Sequence, residues 1–162
     1  MRRLILVRHA KSSRDDPTLA DRDRPLNERG LRDAPRMGER LAKRAIRPDL
    51  IVSSPAVRAL TTAQLMAQKL DYHLDAIVVD ERVYAATPEA LIEVMRALGD
   101  RPKCVMLVGH NPEMSELARR WSKDLEELPT CAVADFRFDI KSWSKLGAQR
   151  PVDMTLYEPK RS

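Results

Sequence analysis

Four short apolar runs set the tightest limit on how this chain folds: Leu4 to Val7, Leu50 to Val52, Ala76 to Val79 and Cys104 to Val108. None alternates with polar residues. A strand with one face in water reads as alternation, so unbroken runs of this length predict strands covered on both faces. Helical stripes fall between and after them. Leu31, Ala34, Leu41 and Ala45 form one, and Ala59, Ala63, Met66 and Leu70 a second. Leu91, Val94, Met95 and Leu98 form a third, and Met114, Leu117, Ala118 and Trp121 a fourth. Spacings of three and four residues put each set on one helix face. Strands alternating with helices predict an α/β chain: a three-layer α/β/α sandwich with a mostly parallel central sheet. Cys131 to Phe138 and Val152 to Tyr157 read as further strands, the second with Val152, Met154 and Leu156 at period two. Pro35 falls inside the first stripe and removes a backbone donor. It predicts a kink or break near Ala34, with Asn27 capping a short first piece.

A length of 162 residues fits one domain, 1–162, with a core large enough to need no disulfide or metal staples. No run approaches the roughly 18 apolar residues that span a bilayer. Met1 to Val7 carries a basic start and a short apolar run, which is too short for export and is interrupted by Arg8, His9 and Lys11. Cys104 and Cys131 make no disulfide framework. The expected setting is the cytoplasm, without a membrane partner, and the size fits a monomer. A net charge of +5 favours anions. Nucleic acid is not the expected partner, because aromatics are only 4% and basic residues interleave with acidic ones instead of forming a stripe.

The chemistry concentrates at strand ends. Leu4-Ile5-Leu6-Val7 runs directly into Arg8-His9, and Val105-Met106-Leu107-Val108 into Gly109-His110, so two of the three histidines end strands. Parallel strand ends share one edge of the sheet, where open α/β proteins place their ligands. The run from Leu50 to Val52 ends in Ser53-Ser54-Pro55. Ser54 reads as the N-cap of the next helix, Pro55 as its first residue, and Arg58 as part of its first turn. Free N–H groups there favour an anion, and a guanidinium fork matches phosphate oxygens. The same grammar recurs at Asn111-Pro112, after His110. Singly, each residue has an ordinary structural explanation. Their convergence on one spot points to phosphate more than to a metal. His73 has no such context and reads as a surface loop residue.

Four pieces carry a family resemblance: Arg8-His9-Ala10-Lys11, Pro25-Leu26-Asn27-Glu28-Arg29-Gly30, Ser53-Ser54-Pro55-Ala56-Val57-Arg58-Ala59 with Thr62-Ala63, and Val108-Gly109-His110-Asn111-Pro112. In that order, over nearly the whole chain, they resemble the phosphoglycerate mutase-like histidine phosphatase superfamily. The compact length most resembles its SixA-type phosphohistidine phosphatase branch. The resemblance implies a phosphatase in which His9 is the nucleophile, Arg8 and Arg58 bind phosphoryl oxygens, and His110 donates to the same group. It implies no metal and no organic cofactor. Neutral imidazole, with a pKa of about 6.5, suits a nucleophile at neutral pH, and nearby cations stabilise charge on the transferring group.

Two departures from the family pattern bear on the substrate. Ala10 stands where the superfamily commonly has glycine, tolerable if its φ is negative. Lys11 follows it, either adding to anion binding or carrying a solvated loop charge; Asn111 is a further candidate phosphate contact. Second, larger relatives place a glutamate after the third strand to protonate an alcohol leaving group. Here the segment reads Asp80-Glu81-Arg82-Val83-Tyr84-Ala85, with Glu81 the nearest acid and out of register. An alkoxide needs that proton, water itself having a pKa of about 15.7, whereas imidazole leaves far more readily. Protein phosphohistidine is therefore the expected substrate. A small-molecule phosphomonoesterase of the same superfamily and a noncatalytic phosphate-binding module are the alternatives. A P-loop is absent, and zinc sites need more grouping of ligands than this chain offers. Cys131 and Arg137 match a Cys-x5-Arg spacing, but the residues between lack glycine and read as strand.

Overall fold

The computed structural model describes residues 1–159. Six strands form one sheet: β1 (Arg2–Arg8), β2 (Leu50–Ser53), β3 (Val78–Val79), β4 (Cys104–Gly109), β5 (Val133–Phe138) and β6 (Asp153–Tyr157). Their order is β3-β2-β4-β1-β5-β6. The first four neighbours pair in parallel, and β5 runs antiparallel to both β1 and β6. Four helices accompany them: α1 (Glu28–Lys43), α2 (Val57–Lys69), α3 (Pro88–Arg96) and α4 (Glu113–Trp121).

Successive side chains of β1 and β4 enter opposite layers. Ile5, Val7, Met106 and Val108 pack with Ala34, Met37 and Leu41 of α1 and with Ala63 and Met66 of α2. Leu4, Leu6, Val105 and Leu107 pack instead with α3 and α4 through Leu91, Met95, Leu117 and Trp121. Both faces of the sheet are thus covered, which is why these runs carry no polar alternation. Leu4, Ile5 and Leu6 are fully buried, each stabilising the fold by about 1.5–3 kcal/mol. The strand that ends in His9 is therefore among the best-anchored parts of the molecule.

Several expectations need correction. Pro35 lies inside a continuous α1, and Asn27 Oδ1 accepts from Gly30 N–H at 2.9 Å, capping the whole helix. The carbonyl four residues before Pro35 belongs to Leu31, which is 50% exposed, so the missing donor falls on the solvent side of the helix. Leu31 accordingly lies off the buried face, and Ala45 lies past the helix end in a left-handed conformation. The third strand is only two residues long. Leu74–Ala76 forms a 3-10 turn before it, and Val78 and Val79 are exposed at the edge of the sheet. Ser54 is not the cap of α2: Ala56 holds that position, and Ser54 Oγ accepts from the Ala56 N–H at 3.1 Å within the preceding turn. Pro55 likewise precedes α2 instead of opening it.

Candidate active site

The β1–β4 ladder pairs Arg8 with Gly109, so His9 and His110 leave their strands at the same level. The His9 N–H extends the ladder to Gly109 O at 3.0 Å, and the two rings lie with centroids 5.1 Å apart. On the other side of β4, the Ser54 N–H donates to Val108 O at 3.0 Å, which brings the start of α2, and with it Arg58, to the same edge. Arg8, His9, Arg58 and His110 line one cavity of about 450 Å³. Lys11 and Asn111 line it as well. His73 is exposed elsewhere.

Hydrogen bonds fix which ring nitrogens carry protons. His9 Nδ1 lies 2.7 Å from the carbonyl of Ala10, which can only accept. The proton is therefore on Nδ1, and Nε2 carries the lone pair. His110 Nε2 lies 2.7 Å from Ser54 Oγ. That oxygen also accepts from the Ala56 N–H at 3.1 Å, and its own hydrogen is free to be directed at His110 Nε2. His110 Nδ1 is buried without a partner among the described residues, and a Ser54 hydroxyl donating to Nε2 places the ring proton there. Arg8 Nε and Arg58 Nε are buried and unpartnered too. Arg8 Nε, Arg58 Nε and His110 Nδ1, all on cavity residues, thus have no hydrogen-bond partner among the described residues, an arrangement that suits an oxyanion.

Burial lowers the pKa of His9 to about 3 against the Ala10 hydrogen bond, helped by repulsion from His110 when that ring is protonated and from the Arg58 and Arg8 guanidinium groups. His110 falls to about 4, first through burial and then through Arg58, with Asp21 opposing. Both imidazoles are neutral in the empty site at pH 7. An anion between them would raise both values.

Two guanidinium groups are held from behind. Arg8 Nη1 donates to Leu128 O at 2.8 Å. Arg58 Nη1 donates to Asp21 O at 2.7 Å and its Nη2 to Asp21 Oδ2 at 3.0 Å. Asp21 also accepts from Arg24 Nε at 3.2 Å and from the Tyr84 hydroxyl at 2.5 Å, while the Tyr84 ring packs edge-on to His110 with centroids 5.6 Å apart. The Tyr84 hydroxyl, followed by Arg58 and Arg24, holds the Asp21 carboxyl well below the usual carboxylate range. The sequence gives no sign of Asp21 or Tyr84. Asp21-Arg22-Asp23-Arg24 reads as a solvated run of alternating charge, and only the fold brings it over Arg58.

The remaining candidates separate. Lys11 is exposed on the cavity wall. Asn111 lines the cavity, but its Nδ2 donates to Leu128 O at 3.0 Å and its Oδ1 accepts from Ser115 N at 3.1 Å and Ser115 Oγ at 2.8 Å. Both ends of its amide are thus committed to protein. Glu81 is exposed, pairs with Arg22 and does not line the cavity. Ala10 is fully buried in the core beside α1 and α2, and its φ is not positive. Its methyl group packs there, and its N–H donates to Thr62 Oγ1 at 3.0 Å. Cys131 is buried, with burial pushing its thiol up to about 12, and Arg137 pairs with Asp153 on the surface, so the Cys-x5-Arg spacing makes no thiolate site. Among the described residues no group of three or more His, Cys, Asp or Glu is arranged to hold a metal, and no helix is long and apolar enough to cross a membrane.

Comparison with known proteins places this geometry in a family. The family model of the histidine phosphatase superfamily (branch 1) matches residues 4–130. An uncharacterized chloroplastic protein of Arabidopsis thaliana is 33% identical over 152 residues, 89% of this chain and 70% of the relative. An uncharacterized protein of Mycobacterium tuberculosis is 37% identical over 113 residues, 69% of this chain and 67% of the relative. The crystal structure of a candidate phosphohistidine phosphatase SixA from Agrobacterium tumefaciens superposes with a TM-score of 0.78 at 30% identity, covering 95% of this chain and 97% of that one. With the family model spanning both histidine-bearing strand ends, the chain belongs to the histidine phosphatase superfamily and is a phosphatase.

Proposed function

We propose that His9 Nε2 attacks the phosphorus of a phosphohistidine side chain on a protein, forming a phosphohistidine enzyme intermediate that water then hydrolyses. The observation that carries this reading is the hydrogen bonding of the two strand-end histidines. The Nδ1–H···O=C bond to Ala10 leaves Nε2 as a free nucleophile, and the Ser54 hydroxyl, donating to His110 Nε2, keeps the proton of that ring on Nδ1 as a donor for a phosphoryl oxygen. Arg8 and Arg58 supply positive charge where negative charge spreads in the transition state. In the first step the N–P bond of the substrate, its ring protonated from solvent at the second nitrogen, breaks as the His9 Nε2–P bond forms, and neutral imidazole departs with the bonding pair. In the second, water attacks phosphorus, orthophosphate leaves, and His9 is regenerated.

The substrate class follows from the carboxylates. Asp15 and Asp21 line the cavity, and Glu81 points away onto Arg22. Asp21 is held as an anion by three donors and has no proton to give. Asp15 is exposed at the rim. Nothing deep in the cavity is fitted to protonate an alkoxide, whereas imidazole leaves without such help. The similarity to the Agrobacterium protein supports the same substrate class. The site takes a side chain presented by another protein, and a monomer in the cytoplasm is the simplest form consistent with this reading.

The test is a comparison of rates. Purified protein should hydrolyse a phosphohistidine peptide faster than simple alkyl phosphates, and rapid quenching should trap an acid-labile label that His9→Ala does not form. Faster turnover of alkyl phosphates would shift the reading to a phosphomonoesterase. Phosphate binding without label or turnover would leave a binding module.

A further inference from the structure

We infer that Asp21 is the positioning residue of the site: it clamps the outer end of Arg58 so that the inner edge of the guanidinium is presented to the phosphoryl group. The inference rests on the proposed role of Arg58 in binding that group.

Arginine has five N–H donors in a rigid plane. Asp21 takes one from each terminal nitrogen, through its main-chain carbonyl to Nη1 and through its carboxylate to Nη2. Two bonds to one residue define the plane and direction of the fork. What remains free is Nε, buried and unpartnered, together with the second hydrogens of the terminal nitrogens. A phosphoryl group can therefore be bound while both Asp21 contacts persist. The carboxylate is a partner of Arg58 throughout, not a rival that substrate must displace.

The clamp is itself braced. Asp21 opens a 3-10 turn, Asp21–Asp23, in the loop between β1 and α1. Tyr84 reaches it from the far side of the sheet edge, after the turn that follows β3. The Arg22 guanidinium lies over the Tyr84 ring, 4.8 Å from its centroid, and pairs with Glu81. Arg24, largely buried, bonds Asp21 and also Ser12 Oγ at 2.9 Å and Ser13 O at 3.2 Å. Since the Tyr84 ring also touches His110, one cluster fixes both the arginine and the second histidine. The short acidic turn, unremarkable in sequence, ties together segments that β1, α2 and β3 deliver separately.

The experiment measures orthophosphate affinity by calorimetry, together with kcat/KM on a phosphohistidine peptide, for wild type, Asp21→Ala, Asp21→Asn, Asp23→Ala and Arg58→Ala. Asp21→Ala should weaken orthophosphate binding by about 10–100-fold, the range for loss of a charged hydrogen-bond partner, with kcat/KM falling in parallel. Asp21→Asn keeps an acceptor oxygen and should recover part of that loss. Asp23→Ala, an exposed neighbour outside these contacts, should change neither quantity. Unchanged or tighter orthophosphate binding in a folded Asp21→Ala protein would overturn the inference, because the carboxylate would then be a bystander or a competitor. Equal orthophosphate affinity in wild type and Arg58→Ala would overturn the underlying reading of the anion site instead, and the two failures are distinct.

Discussion

The hydroxyl of Ser54 lies 2.7 Å from Nε2 of His110 and is the only hydrogen-bond partner of that ring among the described residues, the other nitrogen being unpartnered. Ser54 is fully buried, and its Oγ also accepts from the Ala56 N–H at 3.1 Å. Ser54→Ala frees the ring to adopt the other tautomer and leaves the Ala56 N–H without its partner. We expect kcat/KM to fall about tenfold or more, the rate equivalent of one hydrogen bond of about 1.4 kcal/mol. Ser54→Thr, which keeps the hydroxyl, should retain more activity. Wild-type kinetics in a folded Ser54→Ala enzyme would rule out this proton assignment.

Acid should destabilise the protein before its ordinary carboxylates titrate. The pKa values of His9 and His110 are depressed in the fold to about 3 and about 4, below the ordinary value of about 6.5. Between those values the unfolded chain binds protons that the folded chain refuses, so stability is full above about pH 6.5 and declines as pH falls. Each imidazole contributes a limiting slope of about 1.4 kcal/mol per pH unit. Asp135 and Glu113, whose carboxyls burial pushes up, act in the opposite sense, so the comparison is with a variant. Denaturant melts of wild type and His9→Gln from pH 7 to pH 5 should show the shallower slope in His9→Gln. Parallel lines would contradict the depressed value.

Gly30 should not tolerate a side chain. A Cβ at this position would lie 2.2 Å from the carbonyl oxygen of Lys11, which also accepts from the Asn27 N–H at 3.0 Å. The first turn of α1 and the segment after His9 are thus in backbone contact. Gly30→Ala should destabilise the fold by about 1–3 kcal/mol, the range for overpacking, and lower activity by moving that segment. Thermal melts and kcat/KM measure the two effects. Gly99→Ala is the contrast, since no atom lies within 4 Å of a Cβ there and the cost is confined to its positive φ.

Asn111 and Arg8 should prove energetically coupled. The carbonyl of Leu128 accepts from Arg8 Nη1 at 2.8 Å and from Asn111 Nδ2 at 3.0 Å, while its N–H donates to Ser115 Oγ at 2.9 Å. Asn111→Ala removes a support of that carbonyl and should weaken orthophosphate binding severalfold in the wild-type background. In an Arg8→Ala background the same change should have almost no further effect. Additive losses would assign Asn111 a direct contact with the anion.

What the sequence reveals and what it hides divide along physical lines. Strands buried on both faces leave an unbroken apolar run, so β1, β2 and β4 are legible, and with them the histidines at their ends. β3 is misread because Ala76 to Val79 has the same composition but sits at an exposed edge. Pro35 is misread because the penalty of a proline depends on whether the abandoned carbonyl reaches water, and pattern alone does not tell which way Leu31 points. Ser54 is recognised as important but for a different bond. Asp21 and Tyr84 are invisible for a deeper reason: their roles come from contacts between distant segments, Asp21 to Arg58 and to Tyr84, that no local spacing encodes. Asn27 is read as a cap, though of a short piece where it caps the whole of α1, and Arg58 is read in the first turn of α2, though from a Ser54 cap where Ala56 holds that position.

The pairing of Arg8 with Gly109 carries one more implication. Side chains on adjacent residues of a strand point to opposite faces, so sliding β1 by a single position against β4 would turn one imidazole toward each layer. The reacting pair therefore has no partly aligned form; it is assembled or it is not. Heat inactivation should follow loss of the central ladder in one cooperative step, making residual activity a direct gauge of how many molecules retain their middle strands.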